Sequence, residues 1–336
     1  MAAYRESQTA KDGPRVSAVG ASGPAVRAGY AARPRLVPAR RRSAWRAALA
    51  LTRPRQWVKN PVAILLPVVC CRSWNIARSL DLLAAIALFT LACVAVYILN
   101  DIRDRDLDRL EPRKQARPLA SGEISVAAAW SMLAAVTAVL GAGIAWAGPR
   151  ACWPVCCYLL LNIAYSLRLK HVPLIDAFTV ALGFALRTEQ GFVSLGVRSS
   201  PWLLLCVLTA CLLLVLGKRR RELADSGCSG HRPALRGYTV PLLDHLIVMN
   251  AVLAVVAYLM FVAAQPTGRA PAAVMVATVP FALFALFRYL QLLIVGKGGG
   301  DPVVTLFGDL PLIVSLLGWL AVMITIVALH PRAGLA

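Results

Sequence analysis

Tyr97-Ile98-Leu99-Asn100-Asp101-Ile102-Arg103-Asp104-Arg105-Asp106-Leu107-Asp108-Arg109 is the stretch on which the reading of this sequence turns. It closes a long apolar run and passes without a break from residues that belong in lipid to residues that belong in water. On a helix Asp101, Asp104 and Asp108 are spaced i, i+3, i+7 and share one face, with Asn100 one turn from Asp104. Carboxylates so placed repel one another unless a cation sits among them. Hard oxygen ligands suit Mg²⁺, which keeps part of its water and bridges to phosphate oxygens. The plainer alternative is a solvated helix end salt-bridged by Arg103, Arg105 and Arg109. Ionisable groups at the end of a membrane span favour the functional reading.

The surrounding sequence supplies the membrane. Of 336 residues, 59% are hydrophobic and 15% charged, too few polar groups to cover a soluble globule. From Trp45 onward the chain divides into apolar runs of about the 20 residues a spanning helix needs. Nine are expected, at 55–73, 79–100, 126–146, 151–168, 172–196, 201–217, 241–264, 271–294 and 303–330, the first interrupted by Pro61 and Pro67. This predicts an all-α integral membrane protein, one transmembrane domain over 45–336 with its helices around a central cavity. Residues 1–44, rich in Ala, Arg, Gly, Pro and Ser, read as a disordered basic arm, and the lack of an apolar segment near the start argues against a signal peptide.

A formal charge of +20 would suggest nucleic acid as a partner in a soluble protein, but the charges are segregated. With nine spans and an internal N-terminus, twenty-eight Lys and Arg fall on one side and six on the other. That split satisfies the positive-inside rule, so the excess reads as topology: a multi-pass protein of the cell membrane, with the N-terminus and the 101–125 and 217–240 loops cytoplasmic. Of nine cysteines all but Cys228 lie in apolar runs, where they act as small fillers, not as disulfides or a metal site.

Two further segments carry charge with a pattern. After the aspartates comes Glu111-Pro112-Arg113-Lys114-Gln115-Ala116-Arg117-Pro118-Leu119-Ala120-Ser121-Gly122, whose Arg113, Lys114 and Arg117 could hold phosphate oxygens or could be plain positive-inside charge. The fifth run contains Asp176 and, eleven residues on, Arg187, so both lie on one stripe with Gly183 between them. A charge at membrane depth is costly, so that stripe faces the protein interior. Arg187 is a candidate phosphate or carboxylate partner; the alternative is a structural pair with Glu189 or another helix.

Asn100-Asp101-x-x-Asp104-x-x-x-Asp108 followed by Arg117-Pro118-Leu119-Ala120-x-Gly122 resembles the first signature of the UbiA-type intramembrane prenyltransferase superfamily, whose members are nine-helix transferases. The resemblance runs from Arg53 to about residue 330. It takes in Arg53-Pro54-Arg55-Gln56-Trp57-Val58-Lys59-Asn60, Tyr165-Ser166-x-x-Leu169-Lys170, Gly217-Lys218-Arg219 with Glu222, and Gly300-Asp301-Pro302. The combination is most similar to the decaprenyl-phosphate phosphoribosyltransferase branch, which joins the 5-phosphoribosyl group of phosphoribosyl diphosphate to a polyprenyl phosphate. Other members carry a second, DxxxD motif after span six; here that place reads Gly217-Lys218-Arg219-Arg220-Arg221-Glu222-Leu223-Ala224-Asp225, leading to Arg232, Arg236 and Tyr238.

The resemblance implies a Mg²⁺-dependent transferase with a polyprenyl or prenyl lipid substrate and a phosphorylated or diphosphate donor. Asp101, Asp104 and Asp108 are the implied metal ligands and, with Asn100, the catalytic group. Lys59, Asn60, Lys114, Arg117, Tyr165, Lys170, Asp176, Arg187, Lys218, Arg219, Glu222 and Tyr238 are the implied substrate-binding residues. The chain departs from the family pattern at Glu189 and Gln190, where small or apolar residues are usual, at Glu111, usually His in this branch, and at Gln115, usually basic. Prenyl transfer to an aromatic or other small acceptor, and terpene cyclisation, remain alternatives on the same fold. A transporter would spread polar residues through several spans at mid-depth, whereas here they gather at one membrane face.

Overall fold

The apolar runs become helices because lipid offers no hydrogen-bond partner to a bare backbone. In a computed structural model, residues 43–71, 76–111, 114–226, 233–264, 271–295 and 308–329 are described, and among them every regular element is helical. Short helices α1 (Ala44–Thr52), α2 (Lys59–Ile64) and α3 (Leu66–Cys71) are followed by α4 (Ser79–Leu110), α5 (Val126–Ala147), α6 (Trp153–Leu167) and α7 (Ile175–Leu195). Then come α8 (Pro201–Ser226), α9 (Val240–Ala263), α10 (Pro271–Ile294) and α11 (Leu310–Leu329). Each expected run overlaps helix among the described residues, and five of the described helices are long and apolar enough to cross a membrane. The protein is an all-helical membrane protein.

Two expectations are corrected. The run at 55–73 is not one helix but two short ones meeting at Leu65, two residues before Pro67, which has no N–H to continue the helical ladder. The segment from Asp101 to Leu110 is not loop but the end of α4, whose 32 residues reach ~48 Å at 1.5 Å per residue, well beyond a hydrocarbon core of about 30 Å. Between α2, α4, α6 and α7 the interior is filled at the depth of Arg187 by the rings of Phe89, Tyr158 and Phe184. Residues 1–42 of the basic arm, Arg113, Arg232 and Gly300-Asp301-Pro302 lie outside the described residues, while Ser43 and Ala44 belong to the start of α1.

Helix α7 is central. It buries twelve positions, including Asp176, Arg187, Thr188 and Gln190, and it supplies Leu195 to one apolar cluster and Ala177 and Ala181 to another. Gly191 lets it approach α2, since a Cβ there would lie 2.1 Å from the Ile64 carbonyl oxygen. Helix α5 is the opposite case, burying only Ala129 and Leu140. Its exposed Trp130 and Trp146 are separated by ~24 Å of helix, the spacing of two interfacial aromatic belts.

Candidate active site at the aspartate-bearing boundary

The last turns of α4 carry the acidic face. Asp101 and Asp108 are 2% and 3% exposed, whereas Asp106 points away, paired with Arg105 at 3.2 Å and Arg109 at 3.3 Å. The helical spacing therefore separates the inward carboxylates from the solvated one. Among the described residues, however, no group of three or more acidic, His or Cys side chains is gathered as a metal cage. A cation of the chain itself holds each inward carboxylate. Arg117 Nη1 lies 2.6 Å from Asp108 and 3.3 Å from Asp101, and Arg53 also pairs with Asp101. Lys114 is 3.9 Å from Asp108 and is bonded to Glu111, while Lys170 donates to Asp104 at 2.6 Å.

Four carboxylates thus meet four cations, which removes the self-repulsion that the acidic face alone would carry. Lys114 and Glu111, one of the departures from the family pattern, belong to this cluster. Asn100 accepts a hydrogen bond from the buried Ser166, so the α6 motif fixes its amide. Arg53, outside the set of implied site residues, is part of the cluster. It sits in the left-handed region, at φ 53°, and its guanidinium also stacks 5.1 Å from the Tyr97 ring.

Asp176 and Arg187 share α7 but not a site. Asp176 Oδ2 accepts from Arg219 Nε at 2.8 Å and Asp176 Oδ1 accepts from the Tyr238 hydroxyl at 3.1 Å. Arg219 also donates to Glu222 at 2.8 Å, and Tyr165 lies within its electrostatic reach. Arg219 is therefore not a cation standing open for phosphate; two carboxylates already engage it. Burial pushes the Tyr238 phenol up to about 12, and its oxygen also accepts the Leu174 backbone N–H at 2.6 Å. Leu174 is held at φ 65°, ψ −49°, with Ile175 N donating to Pro173 O at 2.8 Å, a γ-turn that a branched residue adopts only under strain. Gly237 packs where a Cβ would meet Pro173 at 2.3 Å. The turn between α6 and α7, which carries Lys170, is in this way clamped to the segment before α9.

Arg187 lies deeper. Its Nε donates to Asn60 Oδ1 at 2.7 Å, its Nη1 to the Gly183 carbonyl at 2.7 Å, and its Nη2 to Cys93 Sγ and the Tyr158 hydroxyl, both at 3.1 Å. The rings of Phe89, Tyr158 and Phe184 lie 4.6–5.3 Å from its guanidinium carbon. The alternative pair with Glu189 does not form; Glu189 accepts from Ser199 at 2.7 Å. Asn60, buried to 1%, belongs to this cage and not to the aspartate cluster. Lys59 and Lys218 are half-buried and each has a partner. Gln190 donates to the Ala151 carbonyl at 2.8 Å. Glu189 and Gln190 stand thirteen and fourteen residues along α7 from Asp176, ~20 Å at the helical rise, so these departures fall toward the opposite boundary.

The acidic face fits a magnesium ion by its chemistry. Asp101, Asp104 and Asp108 offer only hard oxygens, and one nitrogen already places positive charge between Asp101 and Asp108.

An all-helical membrane body with a buried carboxylate and guanidinium cluster at one boundary, taken with its relatives, defines the class: an intramembrane transferase. Residues 63–297 match the UbiA prenyltransferase family, and the chain belongs to that family. A decaprenyl-phosphate phosphoribosyltransferase of Corynebacterium glutamicum is 31% identical over 288 residues, covering 83% of this chain and 86% of its own. One of Mycobacterium tuberculosis is 29% identical over 275 residues, covering 80% and 90%. The structure of a UbiA homolog from Archaeoglobus fulgidus bound to GPP and Mg²⁺ superposes with a TM-score of 0.61 at 19% identity, covering 84% of this chain and 99% of its own.

Proposed function

We propose that the protein transfers a 5-phosphoribosyl group from phosphoribosyl diphosphate to a polyprenyl phosphate, with magnesium as cofactor. The observation that carries this reading is the boundary cluster, where Arg53, Lys114, Arg117 and Lys170 converge on the acidic face of α4. A donor with two separate phosphate groups needs several cations around one acidic centre. The names of the two actinobacterial relatives support the same donor and acceptor.

Asp101, Asp104 and Asp108 would hold the ion, which when bound draws charge from the diphosphate leaving group. Arg117 and Arg53 would bind the diphosphate oxygens and orient them, Arg117 through its planar fork. Lys170, on the turn clamped to the segment before α9, would take the 5-phosphate together with Lys218, Lys170 leaving Asp104 as the ion takes that carboxylate. Asn100, fixed by Ser166, would orient the donor. An oxygen of the acceptor phosphate then bonds to the anomeric carbon, and the bond from that carbon to the diphosphate breaks, its electron pair leaving with diphosphate. The acceptor is already an anion, so no general base is required.

One observation favours a second reading, prenyl transfer from an allylic diphosphate. Asp176 and Glu222 meet around Arg219, so a carboxylate pair exists in three dimensions beside α8 although the sequence lacks DxxxD. Purified protein incubated with labelled phosphoribosyl diphosphate and polyprenyl phosphate, and in parallel with a labelled prenyl diphosphate and aromatic acceptors, separates the two. Phosphoribosyl lipid, formed with Mg²⁺ and abolished by EDTA, is the expected product. A prenylated acceptor in its place overturns the first reading in favour of the second.

A further inference from the structure

The contact between Arg117 and the acidic face has an unusual form. A single nitrogen, Nη1, touches carboxylates from two turns of one helix, Asp101 at 3.3 Å and Asp108 at 2.6 Å. Both carboxylates are nearly inaccessible, whereas the Arg117 side chain is 30% exposed and comes from the segment after α4. The aspartates are fixed to a rigid helix; Arg117 is a long side chain that can withdraw. Arg53, at the same 30% exposure, holds Asp101 from another side.

From this geometry we infer that Arg117 is a placeholder for the metal, released from the aspartates when a dication arrives and passed to the diphosphate of the donor. The inference rests on the metal-dependent reading above. Oxygen ligands of Mg²⁺ lie ~2.0–2.1 Å from the ion, so Asp101 and Asp108 cannot hold an ion between them while Arg117 Nη1 remains there. Once displaced, Arg117 loses two counter-charges at a partly buried site, which is costly until another anion is supplied. Diphosphate is that anion. Conversely, diphosphate arriving without the metal faces carboxylates already neutralised by Arg117 and finds fewer free donors. Metal and diphosphate therefore assist each other's binding through Arg117, with Arg53 in a like position on Asp101, over and above their direct attraction, and by linkage the assistance is reciprocal.

The coupling is measurable without turnover. Mn²⁺ binding to the full-length protein in nanodiscs, followed by electron paramagnetic resonance with and without inorganic pyrophosphate, reads it directly. For the wild type, pyrophosphate should tighten Mn²⁺ binding by about 5-fold or more, the lower end of ordinary allosteric coupling. In Arg117→Gln, Mn²⁺ alone should bind more tightly than in the wild type, and the effect of pyrophosphate should shrink by about 2-fold or more, leaving the direct attraction between the ion and the pyrophosphate. Arg53→Gln, which removes the other cation on Asp101, should move both quantities in the same direction and serves if Arg117→Gln proves unstable. Unchanged or weaker Mn²⁺ binding in both variants overturns the placeholder role while leaving the metal reading intact, provided that Asp104→Asn still reduces binding. A wild type that takes up no Mn²⁺ even with pyrophosphate overturns both.

Discussion

Arg219 donates its Nε–H to Asp176 at 2.8 Å across 43 residues of sequence, and both side chains are less than 5% exposed. The pair ties α8 to the start of α7, and Tyr238 closes it on the side of α9. Breaking a buried pair from one end leaves the other charge uncompensated, a loss of about 3–5 kcal/mol. Arg219→Met should therefore lower the thermal stability of the protein in detergent, and Arg219→Lys should fail to restore it because an ammonium cannot serve two carboxylates with a planar fork. A raised donor KM with unchanged stability would instead return Arg219 to the role of phosphate ligand.

Leu174 adopts a strained γ-turn beside this pair. Leu174→Gly should stabilise the fold by about 1 kcal/mol, because glycine tolerates positive φ, though part of the gain is offset by the wider unfolded ensemble. Melting of the purified variant against wild type checks the sign.

Tyr238 titrates higher in the folded protein than in the unfolded chain, its phenol being pushed up to about 12 from an ordinary value of 10. A raised pKa means that the folded state keeps the proton more firmly. Its contribution to stability is thus complete below pH 10 and is lost as pH rises through about 12. Tyr238→Phe should lower stability at pH 8 and flatten that alkaline loss, as urea denaturation at both pH values would register.

Arg187 is satisfied by four hydrogen bonds and three rings, none of them from a carboxylate. Arg187→Lys keeps the charge but cannot reach Asn60, Gly183, Cys93 and Tyr158 together. We expect a loss of about 2–3 kcal/mol, with donor KM altered less than 3-fold, since hydrogen bonds to charged groups contribute 1.5–3 kcal/mol each. A KM raised tenfold at normal stability would place substrate phosphate at Arg187.

Asp101→Asn preserves shape and removes one negative charge from the acidic face. Turnover should fall by about 100-fold or more, the scale of losing one preorganised electrostatic contact in a transition state. Initial rates over a Mg²⁺ titration test this, and near-normal turnover at limiting Mg²⁺ would remove Asp101 from the ligand set.

Local periodicity explains what could be read early. The i, i+3, i+7 spacing placed Asp101, Asp104 and Asp108 on one face because helix geometry repeats every 3.6 residues, and the same rule left Asp106 outside. Arg187 was correctly turned inward by the cost of charge in lipid, yet its partners come from α2, α4 and α6, which no spacing within α7 encodes. The pairing of Arg53 with Asp101 is not legible in its motif, because it depends on a left-handed residue turning the chain toward α4. The partner of Arg219 is illegible for a related reason: its motif supplies Glu222 one turn away, but Asp176, the carboxylate that also engages it, lies on another helix.

The sequence by itself determined the helices, their lipid environment and the acidic face, because hydrophobic burial and backbone hydrogen bonding act on neighbours along the chain. Only the tertiary structure decided which cation meets which carboxylate: Arg117 and Arg53 on Asp101, Lys170 on Asp104, Arg219 on Asp176. Those pairings span 16 to 66 residues of sequence. A charge fixes its partner by distance in space and by the desolvation of both, and neither quantity exists until the helices have packed.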